Sequence, residues 1–253
     1  MSGARDWADF TASDFASVDV DSTLAVLPVA AVEQHGPHLP LGTDTMIAEG
    51  MINHLKQICP DDLDLRLLPI QAIGKSNEHL WAAGTLTLTA ETALRAWTEI
   101  GHSVARAGIR KLAVINSHGG NRDIVGLLAR ELRVDHGMIV FKGGWGHSMP
   151  EGMFGEREMR FGIHGGDYET SLMLAFRPDL VDMSKAEDFR SSGEETPLPP
   201  ASYGWIASDL NPKGALGDAT AATAEKGRVL VEHAIGETIE ALRALKAMSL
   251  PKI

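Results

Sequence analysis

The chain has 253 residues, 44% of them hydrophobic and 23% charged, with a formal net charge of −11. That length suffices for one large α/β domain with a full core, while the acidic balance argues against nucleic acid or an anionic membrane surface as a partner. The single cysteine, Cys59, excludes an internal disulfide framework and fits a reducing compartment.

The first residues, MSGARDWADF, show no apolar signal segment, and no apolar run reaches membrane-spanning length. A cytoplasmic protein is expected. Residues 24–33 form a nearly continuous apolar run, as in a strand buried on both faces. VEQHGPHLPLGTDT follows, residues 32–45. Pro37 and Pro40 keep this stretch from being a helix, so Glu33, His35, His38 and Asp44 are expected on a rigid loop. Residues 45–59 have helical apolar spacing, with Thr43 or Asp44 as N-cap. Residues 65–74 read as a second strand, placed by Pro69 at an edge or a bulge. Residues 90–108 read as a helix closed by a C-terminal glycine. Residues 111–121 read as a third strand running into Gly-Gly. A helix follows over 122–137, and then a fourth strand over 138–145. IHGGDYETSLMLAF is a second ligand-rich turn entering a helix near Asp167. Residues 185–217, rich in Pro, Ser, Gly and Asp, read as a long irregular excursion, a functional or mobile segment. A long helix over residues 219–247 closes the chain.

Alternating strands and helices predict a mostly parallel sheet with helices on both faces, in one domain. Ligands in such folds bind beyond the carboxyl ends of the strands. Glu33 and its loop, His118 and Trp145 all fall at such ends.

Glu33, His35 and Asp44 on one loop, His118 on a second, and His164 with Glu169 on a third form a mixed imidazole and carboxylate set. Such a set suits Zn²⁺, Mn²⁺ or Fe²⁺ and is too poor in sulfur for a structural zinc site. Three carboxylates exceed what one ion needs, so two divalent ions sharing a carboxylate are expected. The bland alternative is solvated loop residues, with His118 capping the following helix. GKS at residues 74–76 fails as a phosphate-binding loop, because Pro69 occupies the required glycine position. SNEH, residues 76–79, is either a substrate contact through Ser76 and Glu78 or a surface turn. His38 is expected to support the site rather than to ligate.

EQHGPHLPLGTDT, NSHGGN, HGGDYETS and GDATAATAEKG together resemble the creatininase (creatinine amidohydrolase) family over residues 24–227. The resemblance implies a three-layer α/β/α sandwich, commonly a hexamer, and a dinuclear metal centre with a bridging hydroxide that hydrolyses amide bonds in small, often cyclic, molecules. It implies metal ligation by Glu33, His35, Asp44 as the bridge, and His118. Creatininase proper has a glutamate two residues after that histidine, in the pattern H-Y-E; here Gly120 stands there. The HGGN branch takes its remaining carboxylate from the E-T-S segment, which points to Glu169. The departure argues against creatinine itself as substrate, and formamides or a peptide tail are the rivals within the family. A noncatalytic metal-binding oligomer is the rival from another class. His164 matches the family's acid–base histidine and is expected to protonate the leaving nitrogen. Trp145 resembles the aromatic wall of the substrate pocket. Trp205 and Asp209, in the excursion, are placed as a lid.

Overall fold

The computed structural model describes residues 3–195 and 203–250. Five parallel strands form the central sheet: β1 (Ala4–Asp6), β2 (Thr23–Val29), β3 (Asp64–Leu67), β4 (Lys111–Asn116) and β5 (Ile139–Gly143), in the order β1-β3-β2-β4-β5. The main helices are α1 (Thr43–Ile58), α2 (Ala90–Arg106), α3 (Arg122–His136), α4 (Glu156–Phe161), α5 (Asp167–Phe176), α6 (Ala207–Leu210) and α7 (Ala224–Ala247).

Side chains alternate across a strand, and this sheet is covered on both sides. Leu24 and Val26 of β2, with Ala113 and Ile115 of β4, pack against α1, α5 and α7. Ala25, Leu27 and Val29, with Leu112 and Val114, pack against α2 and α3. Every residue of β2 is buried, as its unbroken apolar run requires. The architecture is the expected three-layer α/β/α sandwich. No helix among the described residues is long and apolar enough to cross a membrane.

Two sequence expectations need correction. The second strand ends at Leu67 rather than continuing to residue 74, and it lies inside the sheet, not at an edge. Pro69 has no N–H to give, so ladder bonding skips it. Leu68 N–H donates to Val26 C=O at 2.9 Å, and Gln71 N–H to Pro28 C=O at 2.9 Å. The edge is β1, whose sequence Ala-Arg-Asp carries no apolar pattern to announce it. Nor is Thr43 or Asp44 the N-cap of α1. Gly42 holds that position, and Asp44 lies inside the first turn with its side chain free for other partners.

Helix α2 is capped by Thr89, whose hydroxyl accepts the Thr92 N–H at 3.2 Å. It ends short of Gly108, which adopts φ +89°. Helix α7 begins after the expected point, capped by Thr223. The excursion contains α6 and a two-stranded ribbon of β6 (Asp188–Phe189) and β7 (Gly217–Asp218). Residues 196–202 of it lie outside the described residues.

Candidate metal centre

Strand β2 delivers the chain into the loop of residues 30–42 at the carboxyl edge of the sheet. Glu33 N–H donates to Leu41 C=O at 2.8 Å and closes this loop on itself. The closure turns Glu33 and His35 inward, and both are fully buried. Asp44 joins them from the first turn of α1, where the helix dipole favours a carboxylate. His118 comes from the turn after β4, His164 from the segment before α5, and Glu169 from the first turn of α5.

These side chains converge. His118 Nδ1 lies 3.2 Å from Glu33 Oε1 and 3.5 Å from Asp44 Oδ2. His35 Nε2 lies 3.4 Å from Asp44 Oδ1 and 3.7 Å from Glu169 Oε2. Asp44 thus turns one oxygen toward each imidazole. His164 Nδ1 is 3.6 Å from Glu33 Oε1.

The outer nitrogen of each histidine is held by the backbone. His118 Nε2–H donates to Lys75 C=O at 2.8 Å, His35 Nδ1–H to Glu33 C=O at 3.0 Å, and His164 Nε2–H to Gln34 C=O at 2.6 Å. A histidine whose outer N–H is so engaged turns its other nitrogen inward as a lone pair, the usual arrangement of a metal-ligating imidazole. The atoms facing inward are left without partners. Glu33 Oε1 and Oε2, His35 Nε2 and Asp44 Oδ2 are buried with no hydrogen bond. Orphaned buried polar atoms are costly, and four on one small volume fit a cation. Glu33, His35 and Asp44 offer ligand atoms within 4.8 Å of one another, as do His35, His164 and Glu169.

Protons respond to the same charge crowding. Burial opposes charge on His35, yet Asp44, Glu169 and Glu33 together raise it to about 10. Burial likewise opposes charge on His118, and Glu33 and Asp44 raise it to about 9. Burial pushes Asp44 up to about 6, against the pull of His35. Burial would also raise Glu33, but the imidazoles of His118, His164 and His35 outweigh it and hold its carboxyl well below the usual range. His164 goes the other way: burial and then neighbouring His35 lower it to about 4.

The six residues expected at the centre are therefore all together. Ser76 is buried with its hydroxyl 3.4 Å from His118 Nε2, and Glu78 Oε1 lies 3.6 Å from the same nitrogen. Both flank His118, and with Ser76 and His79 buried the SNEH run is more than an exposed turn. His118 makes no side-chain cap bond to the helix after it. Trp145 lines a cavity of about 640 Å³ beside His118 and Glu169, its indole N–H donating to Ser117 Oγ at 2.9 Å. His38 stands apart from the centre, bonded to Thr170 Oγ1 at 2.9 Å and stacked on Phe189. Trp205 does not line the cavity. The Asp209 carboxylate accepts the Ile206 N–H at 3.0 Å and so caps α6. Helix α6, which carries Asp209, packs against the turn of residues 77–79 that holds Glu78 and His79.

Three residues were missed. His79 stacks on His164 at 4.4 Å, with Nε2 3.4 Å from Glu33 Oε1. Gln34 bonds His79 Nδ1 at 2.7 Å and Gly214 C=O at 3.0 Å, bracing both histidines. Asn121 accepts the Lys75 N–H at 2.9 Å and donates to Ala30 C=O at 3.1 Å, pinning the loops that carry Glu33 and Ser76. His79 stood in the SNEH run, but Gln34 and Asn121 carry no charge to mark them.

The family model for creatininase, described as creatinine amidohydrolase, matches residues 8–242. This chain belongs to the creatininase family. A mycofactocin precursor peptide peptidase of Mycobacterium ulcerans (strain Agy99) is 34% identical over 226 residues, covering 85% of this chain and 82% of the relative. A candidate creatinine amidohydrolase from Bacteroides fragilis NCTC 9343 superposes with a TM-score of 0.79 at 22% identity, over 100% of both chains. A glutamate-to-glutamine mutant creatininase of Zn–Zn type superposes at 0.75 with 26% identity, covering 98% of this chain and 100% of its own. The chain is thus a creatininase-family hydrolase of C–N bonds with metal-binding residues.

Proposed function

We propose that this creatininase-family chain hydrolyses an amide at a dinuclear centre of divalent ions, Zn²⁺ or Mn²⁺, held by Glu33, His35, Asp44, His118 and Glu169. One observation carries the reading: the buried ligand atoms of Glu33, His35 and Asp44 face one another with no hydrogen-bond partner. Glu33 and His118 would hold one ion and His35 and Glu169 the other, with Asp44 shared, since its two oxygens face the two halves. When bound, such ions lower the pKa of water and polarise the scissile carbonyl.

The chain's own residues do the rest. His164 keeps Nε2–H on the Gln34 carbonyl, so its free lone pair is on Nδ1, inside the centre. Burial and His35 keep it uncharged at neutral pH. It therefore accepts a proton from the attacking water at Nδ1 and returns it to the departing nitrogen, a transfer that an amide leaving group requires. His79, braced by Gln34, stacks on the His164 ring and holds its plane. The near-complete burial of Glu33, His35 and Asp44 removes competing solvent from the reacting atoms.

A short peptide is the favoured substrate over creatinine. The relative at 34% identity is named a peptidase, and Gly120 occupies the place where the creatininase-proper pattern carries its glutamate. The test is a screen of the metal-replete enzyme against short peptides, formamides, lactams and cyclic ureides. Peptide hydrolysis abolished by a chelator and restored by Zn²⁺ or Mn²⁺ is expected. No chelator-sensitive hydrolysis of any member would overturn the assignment in favour of a noncatalytic metal-binding protein.

A further inference from the structure

The cavity beside the centre has a charge that the rest of the chain does not. The protein has 34 acidic against 23 basic residues. Yet Glu169 is the one carboxylate among the described residues lining this cavity, and it sits at the metal end, accepting the Gly165 N–H at 2.6 Å. Arg122, Lys142 and His147 line the remainder. His147 is already engaged, 3.3 Å from Glu237 Oε1. Arg122 and Lys142 make no hydrogen bond or ion pair to any described residue.

The fold places these two cations on one wall. Strand β5 pairs with β4 so that Val140 lies opposite Leu112 and Lys142 opposite Val114. Leu112, Val114 and Val140 all face the α2–α3 layer, and alternation puts Lys142 on that side too. Arg122 is the first residue of α3, four residues past His118, and Val125 of the same helix also lines the cavity. The sheet and α3 therefore present both free cations to one space whose other end is the catalytic centre.

We infer that Arg122 and Lys142 recognise a carboxylate on the substrate, the C-terminal carboxylate of a short peptide cleaved near that end. This rests on the amide-hydrolase reading above. A guanidinium offers a planar fork that matches a carboxylate, and an ammonium adds a mobile point charge. Both side chains are exposed to solvent on the wall of the cavity they share with His118 and Glu169, where an anionic ligand reaches them without displacing a protein partner. A cavity of about 640 Å³ is within the range of small-ligand sites. It has room for a leaving segment of a few residues but not for a folded partner.

The test compares N-acetylated peptides that differ only in ending as an acid or a carboxamide, on the metal-loaded enzyme. The parent should prefer the acid by roughly tenfold or more in kcat/KM, chiefly through KM. Arg122→Gln with Lys142→Gln should bring the two to about parity while metal content stays that of the parent. Binding of N-acetyl-dipeptide acid and carboxamide is followed by calorimetry in parallel, so that failure of hydrolysis and failure of carboxylate recognition are read separately. Equal binding of acid and amide by the parent would overturn the inference. So would an acid preference that survives in the double variant, because the metal centre would then be holding the carboxylate.

Discussion

Asp44→Asn separates the metal-binding role of the centre from its cost to the fold. The substitution keeps shape and removes one charge. In the metal-free protein, burial raises the Asp44 carboxyl from its ordinary 3.8 to about 6, even with His35 and His118 nearby. A shift of about two units corresponds to roughly 3 kcal/mol. The sign follows from linkage: a carboxyl whose folded value is raised favours the fold below the unfolded value and loses that contribution as pH rises through about 6. At pH 7.5 the ionised Asp44 therefore costs metal-free protein up to roughly 3 kcal/mol, and the neutral amide removes most of that cost. Metal-free Asp44→Asn should thus melt several degrees above metal-free parent at pH 7.5, and the gap should close near pH 4. Adding Zn²⁺ should stabilise the parent strongly and the variant hardly at all, because one shared carboxylate serves both ions. Differential scanning calorimetry with elemental analysis reads both effects. A metal-free variant less stable than the parent at pH 7.5 would refute the electrostatic argument, and a variant retaining a full equivalent of metal would refute the bridge.

Four further outcomes are expected. His164→Asn should keep the parent's metal content while slowing turnover by roughly 10²–10⁴-fold; loss of a full equivalent would make His164 a ligand. Glu169→Gln should retain about one ion per chain by elemental analysis, since Glu33, Asp44 and His118 remain intact; two ions with full activity would reduce Glu169 to its bond with Gly165 N–H. Loading the metal-free protein at pH 7.5 should release about two protons, because His35 near 10 and His118 near 9 must each give one up to ligate; calorimetry in buffers of different ionisation enthalpy checks this, and an absence of release would contradict the charge pattern. Asn121→Ala should cost about 1–3 kcal/mol in denaturant unfolding by orphaning the Lys75 N–H and Ala30 C=O; an unchanged midpoint would show that water replaces the amide freely.

The local pattern of the chain settled much of this. The apolar run at residues 24–33 announced a strand covered on both faces, which the fold holds over Thr23–Val29, and the prolines at 37 and 40 kept Glu33 and His35 out of a helix, whereas Asp44 lies in the first turn of α1. The identities of Glu33, His35, Asp44, His118, His164 and Glu169 were legible because each is a charged or titratable residue next to a glycine turn or a helix start. What escaped was whatever depends on packing between distant segments. Strand β1 has no hydrophobic pattern and exists because β3 offers it a pairing edge. Helix α6, capped by Asp209, comes from the excursion, and only the fold brings it against the turn of residues 77–79. Gln34 and Asn121 are neutral amides whose bonds to His79, Gly214 and Lys75 span 45 to 180 residues of sequence, so no local window contains the bonds that give them a role at the site. The same holds for Arg122 and Lys142. Each is an exposed cation, and only the β4–β5 register and the placement of α3 bring the two to one cavity wall. Sequence determines which groups are able to bind a metal or move a proton, because that is a property of single side chains. Tertiary structure decides which of them share a volume without water, because distance and burial are properties of the whole fold.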